Sequence, residues 1–284
     1  MSAALTIAGY AMREATRRRV FAVVLVLSVA SGVLYVVGVN FAFGHVRAGE
    51  TGPFGIDEHE IVGATLFGLA MFLTLFLGSV LGIFLTHGVV RGDAERGLLQ
   101  PLVVRPVGRA ELLVARLLGA AVVSIVYVAA IFLLAVVATS AVGNWTPDRI
   151  VGPMLELALA VVIICTLSLL GSVFLSATAN GIAMFMVYGA GLTAGLLGQI
   201  GHGVGSHSLI QIGRIAAWAL PFEALYQDAL AGLAVDASGF TDRAIRLGPF
   251  GGAQSSGPLL WVWAVAYVLG IAAIAVFAFA RRDL

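Results

Sequence analysis

The sequence predicts an all-α integral membrane protein with six transmembrane helices, and three observations carry that expectation. The 284-residue chain is 60% hydrophobic and only 11% charged, whereas soluble domains carry about 25% charged residues. Six runs free of Asp, Glu and Arg lie along it, each reaching roughly the 20 residues a helix needs to cross about 30 Å of hydrocarbon. The strongly basic residues, 16 arginines and no lysine, cluster in every second gap between those runs.

The runs cover residues 20–41, 61–90, 117–142, 157–177, 181–200 and 258–280. The second is the longest and is expected to tilt or overshoot the bilayer. The fourth and fifth are separated only by Thr178, Ala179 and Asn180. A single helix over both would reach about 66 Å at roughly 1.5 Å per residue, so two helices joined by a tight turn are expected. Residues 20–284 therefore read as one transmembrane domain.

Residues 1–19 precede it as an amphipathic interfacial helix. Leu5, Ala8, Met12 and Ala15 recur at helical spacing while Arg13 and Arg17 lie elsewhere on the wheel, an arrangement that puts apolar atoms in the acyl boundary and guanidinium groups at anionic headgroups. The run at 20–41 is too long for the apolar core of a secretory signal and is read as the first span. Eleven arginines, at positions 13, 17, 18, 19, 91, 96, 105, 109, 116, 281 and 282, fall on one side if the chain crosses six times. The excess of arginine on that side predicts cytoplasmic N and C termini in a cell (cytoplasmic or inner) membrane.

The last outer loop, 201–257, is long and still apolar. Its stretch 212–233 holds Trp218, Pro221, Phe222, Leu225 and Tyr226, and Arg214, Glu223 and Asp228 argue against a full crossing. One or two short helices packed on the outer face, in the interface or re-entering it, are expected.

Composition also excludes chemistry. Without lysine the chain can form neither a nucleotide-binding P-loop nor a Schiff base. A lone Cys165 rules out an internal disulfide and reads as a small buried hydrophobe. His59-Glu60 is not followed by a second histidine at metalloprotease spacing, and Asp57, Glu58, His59 and Glu60 are consecutive, so they point different ways from a helix start. His87, His202 and His207 read as interfacial or loop histidines rather than metal ligands. Ser124, Ser168 and Ser172 have no base beside them in the sequence, so no hydrolytic constellation emerges. No catalytic, cofactor or metal residue is assigned.

The most informative segment lies between the second and third runs. From Arg91 to Arg116 the chain carries Asp93 and Glu95, which favour a helix start through the dipole, then Pro101 and Pro106, which interrupt helical continuity. Gly108 follows as an N-cap, with Glu111 three residues later. This is a compact charged elbow rather than a plain connector. It resembles the cytoplasmic loop of type-2 ABC exporter permeases, in which acidic residues precede Gly-Thr-Leu, a Pro-x-Ser-Arg turn and an acidic entry to the third helix. Here the acidic pair is Asp93 and Glu95, the glycine is Gly97, the turn is Arg105-Pro106-Val107-Gly108-Arg109, and the entry is Glu111. Leu98 stands where threonine is usual and Gly108 where serine is usual.

The resemblance extends to the N-terminal helix, the six spans, the tight turn between the fourth and fifth, and the outer helices between the fifth and sixth. Among such permeases the chain looks most like the small ones that include the nitrous-oxide-reductase maturation type. What the resemblance implies is a subunit of an ATP-driven exporter. Its elbow would dock on a separate ATPase subunit through Asp93, Glu95, Arg96, Gly97, Pro106, Arg109 and Glu111. The chain would pair with itself or a related permease, with ATP and Mg held by the ATPase subunit and none by this chain. Gly78-x-x-x-Gly82 and Gly191-x-x-x-Gly195 are expected to pack helices closely. The alternatives are a secondary transporter or channel, to which the absence of a carboxylate within the six runs is adverse, and a membrane subunit that assembles or signals without moving cargo. Nucleic acid is not an expected partner.

Overall fold

The computed structural model describes residues 19–44, 58–90, 109–233 and 256–281. Eight helices follow in chain order and no strand occurs among the described residues. They are α1 (Arg19–Phe43), α2 (Glu58–Thr86), α3 (Arg109–Gly143), α4 (Val151–Phe174), α5 (Ala177–Val204), α6 (His207–Ala219), α7 (Pro221–Ala231) and α8 (Leu259–Ala280). Six of them, α1 to α5 and α8, are long and apolar enough to cross a membrane. Hydrocarbon offers no partner to backbone N–H and C=O groups, and a helix satisfies them within the segment.

Four helices, α1, α3, α4 and α5, are longer than the apolar runs that mark them. The longest is α3, with 35 residues, and not the second span, because α3 adds two turns from Arg109 to Arg116 ahead of its apolar stretch. Similarly, α4 starts at Val151 and so takes in Glu156, which is buried. Charge counting trims a helix to its lipid-facing part, whereas backbone hydrogen bonding carries it on into the polar zone. The turn between α4 and α5 also lies earlier than Thr178–Asn180. Leu175 is extended, and Ser176 caps α5, its hydroxyl accepting from the Ala179 amide at 3.4 Å. That shift turns Asn180 inward, where it is fully buried.

At the centre, α4 packs against α2, α3, α7 and α8. Glycines set its distance from α2. A Cβ on Gly78 would stand 3.0 Å from both Val128 and Val161, and one on Gly82 would stand 2.5 Å from the Cys165 sulfur. Phe67 meets Phe132 edge-on at 5.3 Å between ring centres, closing the α2–α3 side. The outermost span, α1, is tied to α3 by two hydroxyl pairs, Ser28–Tyr127 at 2.5 Å and Tyr35–Thr139 at 2.7 Å. Between these ties α1, α2 and α3 enclose an apolar cleft of about 950 Å³.

Two short helices stand between α5 and α8, as expected, and of the interfacial and re-entrant arrangements they take the re-entrant one. After α5, Gly205 turns the chain back with φ 68°. Then α6 runs down α5 with Gly198 and Gly213 backbone to backbone, and α7 returns. Trp263 and Tyr267 of α8 donate to the carbonyls of Trp218 and Ala219 at the hairpin tip, at 3.2 and 2.8 Å. Tyr267 lies eight residues into α8, so the tip reaches about 12 Å past the start of that span at 1.5 Å per residue. The pair is a re-entrant hairpin. One of its helices is enclosed: residues 221–227 of α7 are all buried, whereas α6 has no buried residue. Helices that short cannot cross, yet α7 fills the wedge between α4 and α5.

Overpacking a tight glycine contact costs about 1–3 kcal/mol. Replacing Gly82 by Leu is therefore expected to lower the thermal unfolding midpoint in detergent, while Gly32→Leu, where a Cβ meets nothing within 4 Å, leaves it unchanged.

Candidate functional site

The two ends of the bundle are chemically distinct. At one end α2 finishes, α4 turns into α5, and α3 begins. Thr86 closes α2 by donating to the Gly82 carbonyl at 2.7 Å, and the chain leaves through a turn over residues 87–90 whose Val89 and Val90 are buried. The His87 ring lies with Nδ1 3.1 Å from the Phe84 carbonyl oxygen. Because a carbonyl only accepts, Nδ1 carries the proton. Asn180 ties these parts together, its amide donating to the His87 carbonyl at 3.0 Å and to the Ser168 carbonyl at 2.8 Å. Gly171 makes room for it, since a Cβ there would overlap the Asn180 amide. Gly88 also faces Ala177, 3.5 Å from where its Cβ would be. The arm leading to residue 91 thus springs from a point braced against the α4–α5 turn.

On the far side of the loop, α3 begins at Arg109 with Glu111 in its first turn, where a carboxylate is favoured by the helix dipole. Glu111 is half-buried and Leu113 buried. Of the residues expected to contact an ATPase, Asp93, Glu95, Arg96, Gly97 and Pro106 lie outside the described residues. Arg109 opens α3, its side chain outside the description. The structure brings Glu111 to the same end of the bundle as Asn180. Gly78 and Gly82 face α3 and α4 within the chain, Gly191 faces the Phe222 ring, and Gly195 faces the Glu223 carboxylate. All four are internal contacts.

Residues 5–284 match the family described as ABC-2 family transporter protein. The chain belongs to the ABC-2 transporter family. It is a multi-pass membrane permease subunit of an ABC transporter. Comparison with curated proteins gives no match.

At the opposite end of this ABC-2 permease the structure gathers polar groups from α2, α3, α4 and α7. Trp145 donates from Nε1 to the Glu60 carboxylate at 2.8 Å, and His59 lies with Nε2 3.0 Å from the Gly143 carbonyl oxygen, joining α2 to the end of α3. Glu156 of α4 is hydrogen-bonded to Asp228 of α7 and to Trp261, with the Arg149 charge nearby. Deeper in the hairpin, Glu223 is 6% exposed and its Oε1 accepts from the Gln227 amide at 2.5 Å. Burial pushes its carboxyl up to about 7, against the opposing pull of that hydrogen bond. The Tyr188 and Tyr226 hydroxyls are buried and have no hydrogen-bond partner among the described residues, and Tyr188 stacks on Phe222 with ring centres 5.7 Å apart. A signal for this cluster was present in Gly191-x-x-x-Gly195, which required something bulky to fill it. The identity of the filler, Phe222-Glu223, depended on the hairpin re-entering.

Two consequences can be measured. Asn180→Leu removes both bonds, to the His87 carbonyl in the turn after α2 and to the Ser168 carbonyl of α4, and a loss of about 1–2 kcal/mol in unfolding free energy is expected. An unaltered midpoint would show that the brace is not held by this residue. For Glu223, the packed chain keeps a proton that an ordinary carboxyl, with a reference value of 4.5, gives up. The stabilisation is complete below about pH 4.5, falls as pH rises toward 7, and is flat above that. The difference in unfolding midpoint between wild type and Glu223→Gln should trace this window.

Proposed function

We propose that this permease couples ATP hydrolysis by a separate ATPase subunit to export of cargo across the cell membrane, with both termini and the loop at 91–108 on the cytoplasmic side. The observation that carries this reading is the family match over residues 5–284 on a six-span bundle. The composition agrees with it: a chain with no lysine must obtain its nucleotide chemistry from a partner, which would hold ATP and Mg.

Asp93, Glu95, Arg96, Gly97, Pro106, Arg109 and Glu111 would form the docking elbow. Force applied there would reach the bundle by two routes, into α3 through its first turns and into α2, α4 and α5 through the point where Asn180 binds. A rigid seat is what mechanical coupling requires, because a compliant one would absorb the displacement. A second copy of the chain, or a related permease, would complete the path. The apolar cleft among α1, α2 and α3 favours cargo with a hydrocarbon portion, since a space lined this way gives water no partners.

The test is co-purification with the ATPase subunit. Glu95→Ala and Arg109→Ala should each weaken the complex about tenfold, which corresponds to about 1.4 kcal/mol, and lower cargo-stimulated ATP hydrolysis, without changing the permease's own thermal midpoint. Binding and stimulated hydrolysis both at wild-type level would overturn the assignment of the elbow.

A further inference from the structure

We propose that Glu223 is a proton-binding residue that latches the re-entrant hairpin to α5, and that releasing its proton to water frees α7 from that contact. This reading does not rest on ATPase coupling and concerns only the hairpin and its seat.

The geometry carries it. The Glu223 carboxyl lies flat against α5 at Gly195, where a Cβ would overlap it. One turn away the Phe222 ring occupies the matching gap at Gly191. Gly195 is nine residues before the end of α5, or about 13 Å at 1.5 Å per residue. A carboxylate at that depth needs a compensating charge or several donors, and it has the Gln227 amide.

Among the described residues no positive charge acts on the Glu223 carboxyl, and the Arg149 charge acts on Glu156. From α5 the titratable neighbour is Tyr188; from α7 itself they are Tyr226 and Asp228. From α4 it is Glu156, engaged with Asp228 and Trp261. Tyr267 of α8 is bound to the Ala219 carbonyl, and α2 presents Phe72 to Tyr226. On α6, His207 and Arg214 are exposed. The packed arrangement therefore suits the neutral acid, and the carboxylate suits a hydrated one.

A second, independent observation points to where the water goes. Tyr226 is 1% exposed and Tyr188 is 5% exposed, neither hydroxyl has a partner among the described residues, and Tyr226 lies near both Glu223 and Tyr188. Buried hydroxyls are normally paired. The Tyr226 hydroxyl near the carboxyl, with that of Tyr188 next to Tyr226, makes a polar lining that water would satisfy once α7 shifts. Of the hairpin's two helices, α6 buries no residue, and the chain enters it through Gly205 in the left-handed region. The step is a simple dissociation: the Glu223 O–H bond breaks, the proton passes to water, and the carboxylate remains.

Amide exchange of the full chain in lipid nanodiscs tests this. Peptides covering 221–231 are compared at pH 6 and pH 8.5 after correction for the intrinsic rate. In wild type, exchange should be about tenfold faster at pH 8.5, corresponding to one pKa unit of linkage, while peptides from α3 and α4 do not change. Glu223→Gln, which mimics the neutral acid, should exchange alike at both values, and Glu156→Gln should keep the wild-type acceleration. The proposal is overturned if wild-type 221–231 exchanges equally at both values, if α3 and α4 accelerate with it, if Glu223→Gln retains the response, or if Glu156→Gln abolishes it.

Discussion

Hydrocarbon supplies no hydrogen-bond partners, and many of the polar groups placed in the spans find one within the chain. The consequence is visible in the hydroxyls. Thr74, Thr139 and Thr166 each donate to the carbonyl four residues earlier, at 2.7, 2.8 and 2.7 Å. Such local bonds let a helix carry hydroxyls without needing a neighbour. Where hydroxyls do reach across, as in Ser28–Tyr127 and Tyr35–Thr139, they fix the position of the most lipid-exposed helix. The polar residues are few, so each one that crosses between helices specifies an arrangement that apolar contact alone would leave sliding.

Small residues perform the complementary task. With lipid tails as apolar as leucine, helices in a membrane associate through close packing rather than through expulsion of water. Gly78 and Gly82 let α2 reach the valines and the cysteine of α3 and α4, and Gly191 and Gly195 open the groove on α5 that α7 fills. The same device therefore builds the rigid centre and the seat of the hairpin. The two differ in what enters the gap. Methyl groups and sulfur fill the first, and an aromatic ring with a carboxyl group fills the second, which gives the second a chemistry that responds to its surroundings.

The two ends of the bundle follow from this division. At the Asn180 end, amide-to-carbonyl bonds connect the turn after α2 with α4 and α5 into one brace. At the other end, carboxyl groups on α2, α4 and α7 meet tryptophan, glutamine and one another. That end is where a short re-entrant element lies against a span, and it is the part of this permease whose packing depends on protonation.

Much was legible in the residues themselves. The six uncharged runs and the low charge determine an all-helical membrane chain, and the absence of lysine leaves it without a P-loop lysine, because the solvent a segment can tolerate is a property of its own side chains. Tertiary structure decided what each polar residue is for. Asn180 read as part of a turn, and only the cap at Ser176 turned it inward. Glu156 stood one residue outside an apolar run, and Glu223 read as a reason not to cross the membrane, yet both are buried. Composition reports the cost of placing a charge in lipid. Whether a charged residue is enclosed depends on which helix returns beside it, and that is set by pairings between segments far apart in the chain.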